Sequence, residues 1–299
     1  MPIRGKFFSA NVGNFLPQKA NYTYSLADPE LASLIHNQVI MLDPDVCVFQ
    51  EIWTFTEEVL GSDYEVLGQN DCIAVKRDFG IIVSNSFRSH SIRFKKSEND
   101  PALPAFDNER AQDEQRKRLQ ECPYDGKKDS PYGIPADFDV TSAIIEEKKT
   151  KQRFLVVNVH VQSAPWKDKI RARQLREWIL EESITRANQE CEARILIAGD
   201  FNHDEERQLN TESTDVIRAI IRLPNMQDAS GNNHEVSTKL PRIVKNYRYD
   251  HILGTASFSN FRVLEALTEN DYRAFKKAHR MTHWAHLDHK SLYSEFLFL

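Results

Sequence analysis

Short apolar runs rich in β-branched and aromatic residues alternate along the whole chain with segments of helical periodicity. In one such run Val157 and Val159 face one way, whereas Asn158 and His160 face the other, as alternation along a strand requires. These runs predict strands at 6–12, 45–52, 72–76, 80–84, 140–147, 153–161, 194–200, 248–253, 261–266 and 289–298. Strands that alternate with helices in mixed order are typical of the α/β class.

The segment that follows Asp28 has the features of an amphipathic helix. Asp28 can cap its amino end, Pro29 suits the first helical position, and apolar residues between Leu31 and Val39 recur at helical spacing. The pattern therefore predicts a helix over 29–42. Related patterns predict further helices near 168–188, around Ile217–Ile221, and after a capping box formed by Thr268 and Asp271.

Residues 95–137 interrupt this alternation. Five of the twelve prolines fall between Pro101 and Pro135, among mixed charges such as Arg116-Lys-Arg118. We interpret the segment as a loop inserted into a single domain that spans 1–299, because loop closure costs grow slowly with length. It is either a solvated loop or a lid that contacts substrate.

Several strand-like runs end in polar side chains that could do chemistry. Glu51 ends an otherwise apolar face, where a carboxylate needs a basic partner or a hard divalent cation. His160 is either a satisfied core histidine or a catalytic group. Asp200 and Asn202 share one face beyond Gly199. An acid beside an amide suits attack of water on phosphorus, although a capping Asp and a turn Asn would give the same sequence.

Two more acids and a second histidine lie in the C-terminal part, as Asp250 and the pair Asp288-His289. An Asp that holds a His is a common catalytic pair, but spacing alone does not decide which Asp holds which His. With Asn11 at the end of the first strand, these segments predict one active site assembled from distant strands. Their residue types favour metal-dependent hydrolysis of a phosphoester.

Composition limits the choice of class less than the motifs do. The 299 residues include 40% hydrophobic residues, enough for one large core. The net charge is −5 and the sequence pI is about 6.1, so no global basic field attracts the protein to phosphate backbones. A local basic cleft is still compatible with this charge.

The cysteines and the N-terminal sequence bear on the compartment. The cysteines are widely spaced, without the C-x-x-C pairs of zinc sites: Cys47, Cys72, Cys122 and Cys191. The N-terminal residues lack the apolar region of a signal peptide, and no apolar run is long enough for a transmembrane helix. We therefore expect a cytoplasmic protein, with leaderless secretion left open, and we expect a monomer.

The motifs together resemble those of the endonuclease/exonuclease/phosphatase superfamily, in order and in spacing. The matching segments are Asn11-Val12, Gln50-Glu51, Asn158-Val-His160, Gly199-Asp-Phe-Asn202, Tyr249-Asp250-His-Ile and Asp288-His289. The resemblance implies a four-layer α/β sandwich, in which two mixed β-sheets pack face to face with helices outside. It also implies Mg²⁺ as cofactor, with Mn²⁺ as a substitute, bound by Glu51 with Asn11 and Asp288 close to it.

The resemblance also implies roles for the remaining site residues. Asp250 would orient His289, and His160 and Asn202 would hold phosphate oxygens. Asp200 would position or deprotonate the attacking water. Whether Asp200 or His289 is the general base stays open.

The substrate class is the least determined property. Lys167, Arg171 and Arg173 follow the strand of His160 and could form a basic rim for a phosphorylated substrate, or simply the solvated face of a helix. We slightly favour a nuclease-like phosphodiesterase on nucleic acid. The alternatives are a phosphoinositide phosphatase, a sphingomyelinase-like hydrolase of lipid headgroups, and a non-catalytic binding module on the same fold. A metallo-β-lactamase-type hydrolase is disfavoured, because Trp284 stands where its motif has the first histidine.

Overall fold

Strands dominate the part of the chain that the structure, a computed structural model, describes. The described residues are 1–12, 29–52, 59–68, 71–83, 88–92, 138–161, 183–201, 217, 220–231, 249–265 and 289–299. Strands β1 to β13 are Ile3–Asn11, Val46–Gln50, Tyr64–Leu67, Cys72–Lys76, Gly80–Ile82, Arg88–Ile92, Phe138–Glu147, Arg153–Val161, Ile195–Asp200, Gln227–Asp228, Asp250–Gly254, Ser257–Leu264 and Ser291–Phe298. Helices α1 and α2 are Pro29–Leu42 and Thr185–Glu190. Within these ranges, no helix has both the length and the apolar character needed to cross a bilayer.

The strands form two mixed sheets. The first has six strands in the order β12-β13-β1-β2-β4-β3, with β1 and β2 parallel and the other neighbours antiparallel. The second has seven strands in the order β10-β11-β9-β8-β7-β5, with β6 also paired to β7. In this sheet β8 and β9 are parallel, and the other described neighbours are antiparallel. Each sheet therefore contains a parallel pair whose carboxyl ends lie at the same edge.

Apolar side chains on both faces of each sheet produce a layered core. Residues of both sheets fill the space between them, among them Phe7, Val48, Phe154, Leu196 and Phe296. On the outer face of the first sheet, Ile35 and Val39 of α1 pack with Phe8. On the outer face of the second sheet, Ala187 of α2 packs with Val157. The predicted α/β sandwich of two mixed sheets with helices outside is thus confirmed.

Most of the predicted elements are present where the structure describes the chain. The helix predicted over 29–42 is confirmed at both ends. The described part of the helix predicted near 168–188 contains α2, and residues 217, 220 and 221 are helical as expected. The insertion at 95–137 and the helix predicted after Thr268 lie outside the described residues.

Three short strands were not predicted, because they lack the apolar alternation that marks a buried strand. β3 and β10 are the terminal strands of their sheets, and β6 has the polar sequence Arg88-Ser-His-Ser-Ile92. Strands this short or this polar carry little apolar pattern, so their pairing partner determines them more than their own sequence does. The strand predicted at 261–266 begins earlier, at Ser257, with a bulge after Ser259.

Gly199, in β9 directly before Asp200, lies where a side chain would not fit. Its φ is +133°, a conformation that residues with a Cβ rarely adopt. A Cβ added there would lie 2.1 Å from the carbonyl oxygen of Val159 and 3.0 Å from Nε2 of Gln50. Gly199 therefore allows β8, β9 and the opposing sheet to approach each other closely.

We expect Gly199→Ala to lower the free energy of unfolding by more than about 3 kcal/mol, since it combines a strained φ with a backbone overlap. Gly231→Ala is the matched control. Gly231 also has a positive φ, +61°, but an added Cβ would meet nothing within 4 Å. The control should cost only about 1–2 kcal/mol. Urea unfolding of both variants measures the difference, and equal losses would contradict the close packing around Gly199.

Candidate active site

Strand ends from both sheets bring polar residues to one rim of the sandwich. Asn11 ends β1, Glu51 follows β2, His160 and Asp200 lie at the carboxyl ends of β8 and β9, Asp250 begins β11, and His289 precedes β13. The register of the second sheet places three of them side by side on neighbouring strands: His160 lies opposite Asp200, and Asp200 lies opposite Asp250. The chain therefore brings together at this rim six residues that the sequence singled out.

Asp250, His289 and Asp200 form a buried chain of polar contacts. Nδ1 of His289 is 2.9 Å from Oδ2 of Asp250, and its Nε2 is 3.7 Å from Oδ2 of Asp200. The exposed fraction of Asp200 is only 1%, and that of Asp250 is 2%. The structure places His289 beside Asp250, which settles geometrically the pairing that sequence spacing left open. Nε2 of His289 is directed toward the Asp200 side of the rim.

Asn11 connects this chain of contacts to the first sheet. Its Nδ2 donates a hydrogen bond of 3.0 Å to Oδ2 of Asp200. Asn11 belongs to β1 in the first sheet and Asp200 to β9 in the second, so the bond crosses between the sheets. A donor at this distance stabilises the ionised form of the buried carboxylate.

His160 lies between two carboxylates on the other side of the rim. Its Nε2 is 3.2 Å from Oε1 of Glu51, and its Nδ1 is 3.1 Å from Oδ1 of Asp71. Burial of the ring lowers the pKa of His160, but the charges and hydrogen bonds of Asp71 and Glu51 outweigh it and raise that pKa well above its usual value. The two acids therefore both favour the protonated form of the ring.

Asp71 was missed by sequence reasoning. It precedes the apolar strand β4, which pairs antiparallel with β2. Asp71 therefore lies beside the end of β2, next to Glu51. The available signal was an acid placed directly before a buried strand. That signal is weak on its own, because such acids are common in turns.

Beneath the rim, Gln50 and Asn158 form a fully buried polar bridge between the sheets. Nε2 of Gln50 donates a 2.6 Å hydrogen bond to Oδ1 of Asn158. Nδ2 of Asn158 donates to the carbonyl oxygens of Phe49 at 2.8 Å and Cys72 at 3.1 Å. Since Gln50 precedes Glu51 and Asn158 is two residues from His160, this bridge sets how those two side chains meet.

Oxygen and nitrogen ligands suitable for a cation are present at the rim. Asp200, Asp250 and His289 each offer a ligand atom, and these atoms lie within 4.8 Å of one another. Glu51, which follows β2 at the same rim, adds a carboxylate whose side chain is 14% exposed. The rim therefore contains residues able to hold a metal ion.

The other predicted site residues lie outside the described part of the chain. These are Asn202, Asp288, Lys167, Arg171 and Arg173. Asn202 follows the described Phe201, and Asp288 precedes the described His289, so both adjoin the rim in sequence. Their roles stay predictions.

Solved structures with the same architecture exist at low sequence identity. An endonuclease/exonuclease/phosphatase family protein from Bacteroides thetaiotaomicron matches with a TM-score of 0.60 and 16% identity, covering 100% of this chain and 99% of that one. This chain has the endonuclease/exonuclease/phosphatase fold. The fold expected from the motif resemblance is thus confirmed.

Two further solved structures have a similar fold. TDP2 from D. rerio, complexed with a single-strand DNA product, matches with a TM-score of 0.58 and 14% identity over 98% of both chains. A mannosyl-6-phosphatase from Bacteroides thetaiotaomicron matches with a TM-score of 0.56 and 17% identity, covering 98% of this chain and 99% of that one. The sequence matches no protein-family model and no curated protein.

The Gln50–Asn158 bridge generates a prediction for stability. Asn158→Leu keeps the side-chain size but removes the acceptor of the buried Gln50 amide and one hydrogen bond from each of the Phe49 and Cys72 carbonyls, which remain paired in the β2–β4 ladder. We expect it to lower the free energy of unfolding by about 1–3 kcal/mol, the cost of one buried group left unsatisfied.

A double-mutant cycle supplies the control for this effect. Gln50→Leu in the Asn158→Leu background should cost less than in the wild type, because the amide it removes has already lost its acceptor. We expect a coupling of about 1 kcal/mol or more, measured by urea unfolding of the four proteins. Strictly additive losses would show that the two side chains do not stabilise each other.

Proposed function

We propose that this protein is a metal-dependent phosphoric ester hydrolase that cleaves a phosphodiester with activated water. The observation that carries the proposal is the buried chain of contacts from Asp250 through His289 and Asp200 to Asn11. Proteins of the same fold include a mannosyl-6-phosphatase and a TDP2 complexed with a DNA product. This support from the fold agrees with the chemistry of the residues at the rim.

Asp250 and His289 form a proton-transfer pair in this proposal. The contact of 2.9 Å between Nδ1 of His289 and Asp250 favours the tautomer in which Nδ1 carries the hydrogen and donates a hydrogen bond to the carboxylate. Nε2 is then the atom that exchanges a proton at the rim. The negative charge of Asp250 also stabilises the imidazolium form of His289.

Asp200 and Asn11 form the second part of the proposed machinery. The Asp200 carboxylate lies 3.7 Å from Nε2 of His289, and its orientation is held by the Asn11 amide. Either Asp200 or His289 can accept the proton of the attacking water, and the other then stabilises the resulting charge.

Glu51 is the proposed ligand for Mg²⁺, with Asn11 and Asp288 close to it. The donor set fits, because Mg²⁺ prefers oxygen ligands, keeps several waters and needs only one or two carboxylates. When bound, Mg²⁺ would neutralise charge that develops on the phosphoryl oxygens. Asp200, Asp250 and His289 also come close enough to hold an ion, but the nitrogen of His289 suits a softer metal than Mg²⁺.

His160 and Asn202 are the proposed groups for the non-reacting phosphate oxygens. In this structure Nε2 of His160 faces the carboxylate of Glu51 and Nδ1 faces that of Asp71, so the ring can donate to a phosphate oxygen only when Nε2 leaves Glu51. Asn202, two residues beyond Asp200, would add an amide donor. This division leaves His289 for proton transfer.

Nucleic acid is the substrate class that we propose first. Lys167, Arg171 and Arg173 follow the strand of His160 closely in sequence, and such residues can contact a phosphate backbone. Phosphoinositides and sphingomyelin present the same phosphate chemistry on a lipid headgroup. The substrate experiment therefore contains both classes.

The proposed function is tested with a substrate panel that holds plasmid DNA, single-stranded RNA, bis-p-nitrophenyl phosphate, phosphoinositides and sphingomyelin. Wild-type protein with Mg²⁺ should hydrolyse one class, and His289→Ala should slow that reaction by about 10²–10⁴-fold, the usual cost of losing an acid–base group. Addition of EDTA should abolish it.

His36→Ala is the matched control for removal of a histidine. His36 lies on α1, where Nδ1 is 2.9 Å from the carbonyl oxygen of Val59, and it has no part in the rim. This variant should keep nearly wild-type turnover. Hydrolysis by His289→Ala at the wild-type rate, or by the wild type in EDTA, would refute the proposed mechanism.

Glu51→Gln tests the metal site separately. Because the amide is a weaker ligand than a carboxylate, the Mg²⁺ concentration for half-maximal activity should rise by at least about 10-fold, while turnover at saturating Mg²⁺ falls less. A Mg²⁺ titration of the hydrolysis rate measures both quantities. An unchanged Mg²⁺ requirement would remove Glu51 from the metal site.

A further inference from the structure

The backbone of Glu51 is held in an unusual conformation. Glu51 has a φ of +55°, in the left-handed region that few residues other than glycine occupy. It comes directly after Gln50, the last residue of β2, so the chain turns left-handed at the point where the strand ends. A non-glycine residue keeps this backbone conformation only where its surroundings hold it there, and such residues concentrate at functional sites.

The carboxylate of Asp71 provides that constraint. Oδ1 of Asp71 accepts a 3.1 Å hydrogen bond from the backbone N–H of Glu51. Asp71 is itself fixed, because it is buried and its carbonyl oxygen accepts a 2.9 Å hydrogen bond from Oγ1 of Thr141 on the opposite sheet. The turn after β2 is therefore attached to a rigid point in the second sheet.

The same oxygen of Asp71 also acts on the side chain of Glu51, through His160. Oδ1 of Asp71 is 3.1 Å from Nδ1 of His160, and Nε2 of that ring is 3.2 Å from Oε1 of Glu51. The contacts close a ring that starts and ends at Asp71. Backbone and carboxylate of Glu51 are thus both restrained by one residue.

We propose that Asp71 is a positioning residue for the cation site, which it orders by holding the left-handed backbone of Glu51. The proposal rests on the proposed function, in which Glu51 binds the metal ion. Asp71 acts through a hydrogen-bond acceptor rather than through direct contact with the ion. Without that acceptor, Glu51 would relax toward ordinary backbone conformations, and its carboxylate would have to be reordered when a cation binds.

Direct binding of Mn²⁺, followed by calorimetry or electron paramagnetic resonance, tests this inference without any substrate. Asp71→Ala removes the acceptor and should weaken Mn²⁺ binding by about 10–100-fold, the range found when a group that orients a metal ligand is lost. Asp71→Asn retains an oxygen acceptor for the Glu51 N–H and should recover most of the loss. Equal weakening in both variants would show that charge matters rather than the acceptor, and would overturn the proposal.

Asp45→Ala is the matched control, because Asp45 makes the same type of contact at the other end of β2. Its Oδ2 accepts a 2.8 Å hydrogen bond from the backbone N–H of Lys6, away from the rim. This variant should bind Mn²⁺ as the wild type does. Weakening comparable to that of Asp71→Ala would indicate general destabilisation and contradict the inference.

Glu51→Gln, titrated in the same way, separates failure of this inference from failure of the proposed function. If Glu51→Gln binds Mn²⁺ like the wild type, the proposed metal site is wrong and the inference falls with it. If Glu51→Gln weakens binding but Asp71→Ala does not, Glu51 remains a metal ligand and only the role of Asp71 is refuted. Loss of affinity in Glu51→Gln and Asp71→Ala, with recovery in Asp71→Asn, supports both.

Discussion

The packing of two sheets around the buried bridge between Gln50 and Asn158 is the constraint on which the site depends. Both amides are fully buried, where a hydrogen bond between them is worth more than at the surface. Asn158 satisfies the carbonyls of Phe49 and Cys72 while it accepts from Gln50. The two sheets can therefore pack in only a narrow range of relative positions. Glu51 comes directly after Gln50 and His160 two residues after Asn158, so the relative position of the sheets determines how these two side chains meet.

The rim above the bridge concentrates charge in a place where burial is costly. Asp200 and Asp250 are almost fully buried, and each is paired with a donor or an imidazole, which offsets the desolvation of its charge. His160 is stabilised as a cation by two acids. The left-handed turn at Glu51 adds backbone strain at the same edge. These features are what a preorganised catalytic site requires, at some expense in stability.

Proteins that share this fold differ in their names and in the molecules bound to them. Proteins of this fold include one complexed with a DNA product and one named a mannosyl-6-phosphatase, although each shares less than a fifth of its residues with this chain. A common scaffold that delivers acids, amides and histidines to one rim is compatible with both. In this chain the sandwich supplies acids, an amide and histidines at the strand ends, and phosphate chemistry there is our proposal. The selection of the group attached to the phosphate belongs to the segments that follow those ends.

The sequence by itself determined the local elements and the residue types at the strand ends. The capping signal of Asp28-Pro29 in the sequence and the spacing of apolar residues were enough to predict α1, and the polar ends of apolar runs were enough to single out His160 and Asp200, because both signals are local. The spacing of residues left the partner of His289 open and only the resemblance implied Asp250, so the contact itself, like the place of Asp71 in the site, came from the tertiary structure. Those contacts depend on which strands become neighbours and in what register, and no periodicity within a single segment encodes that choice.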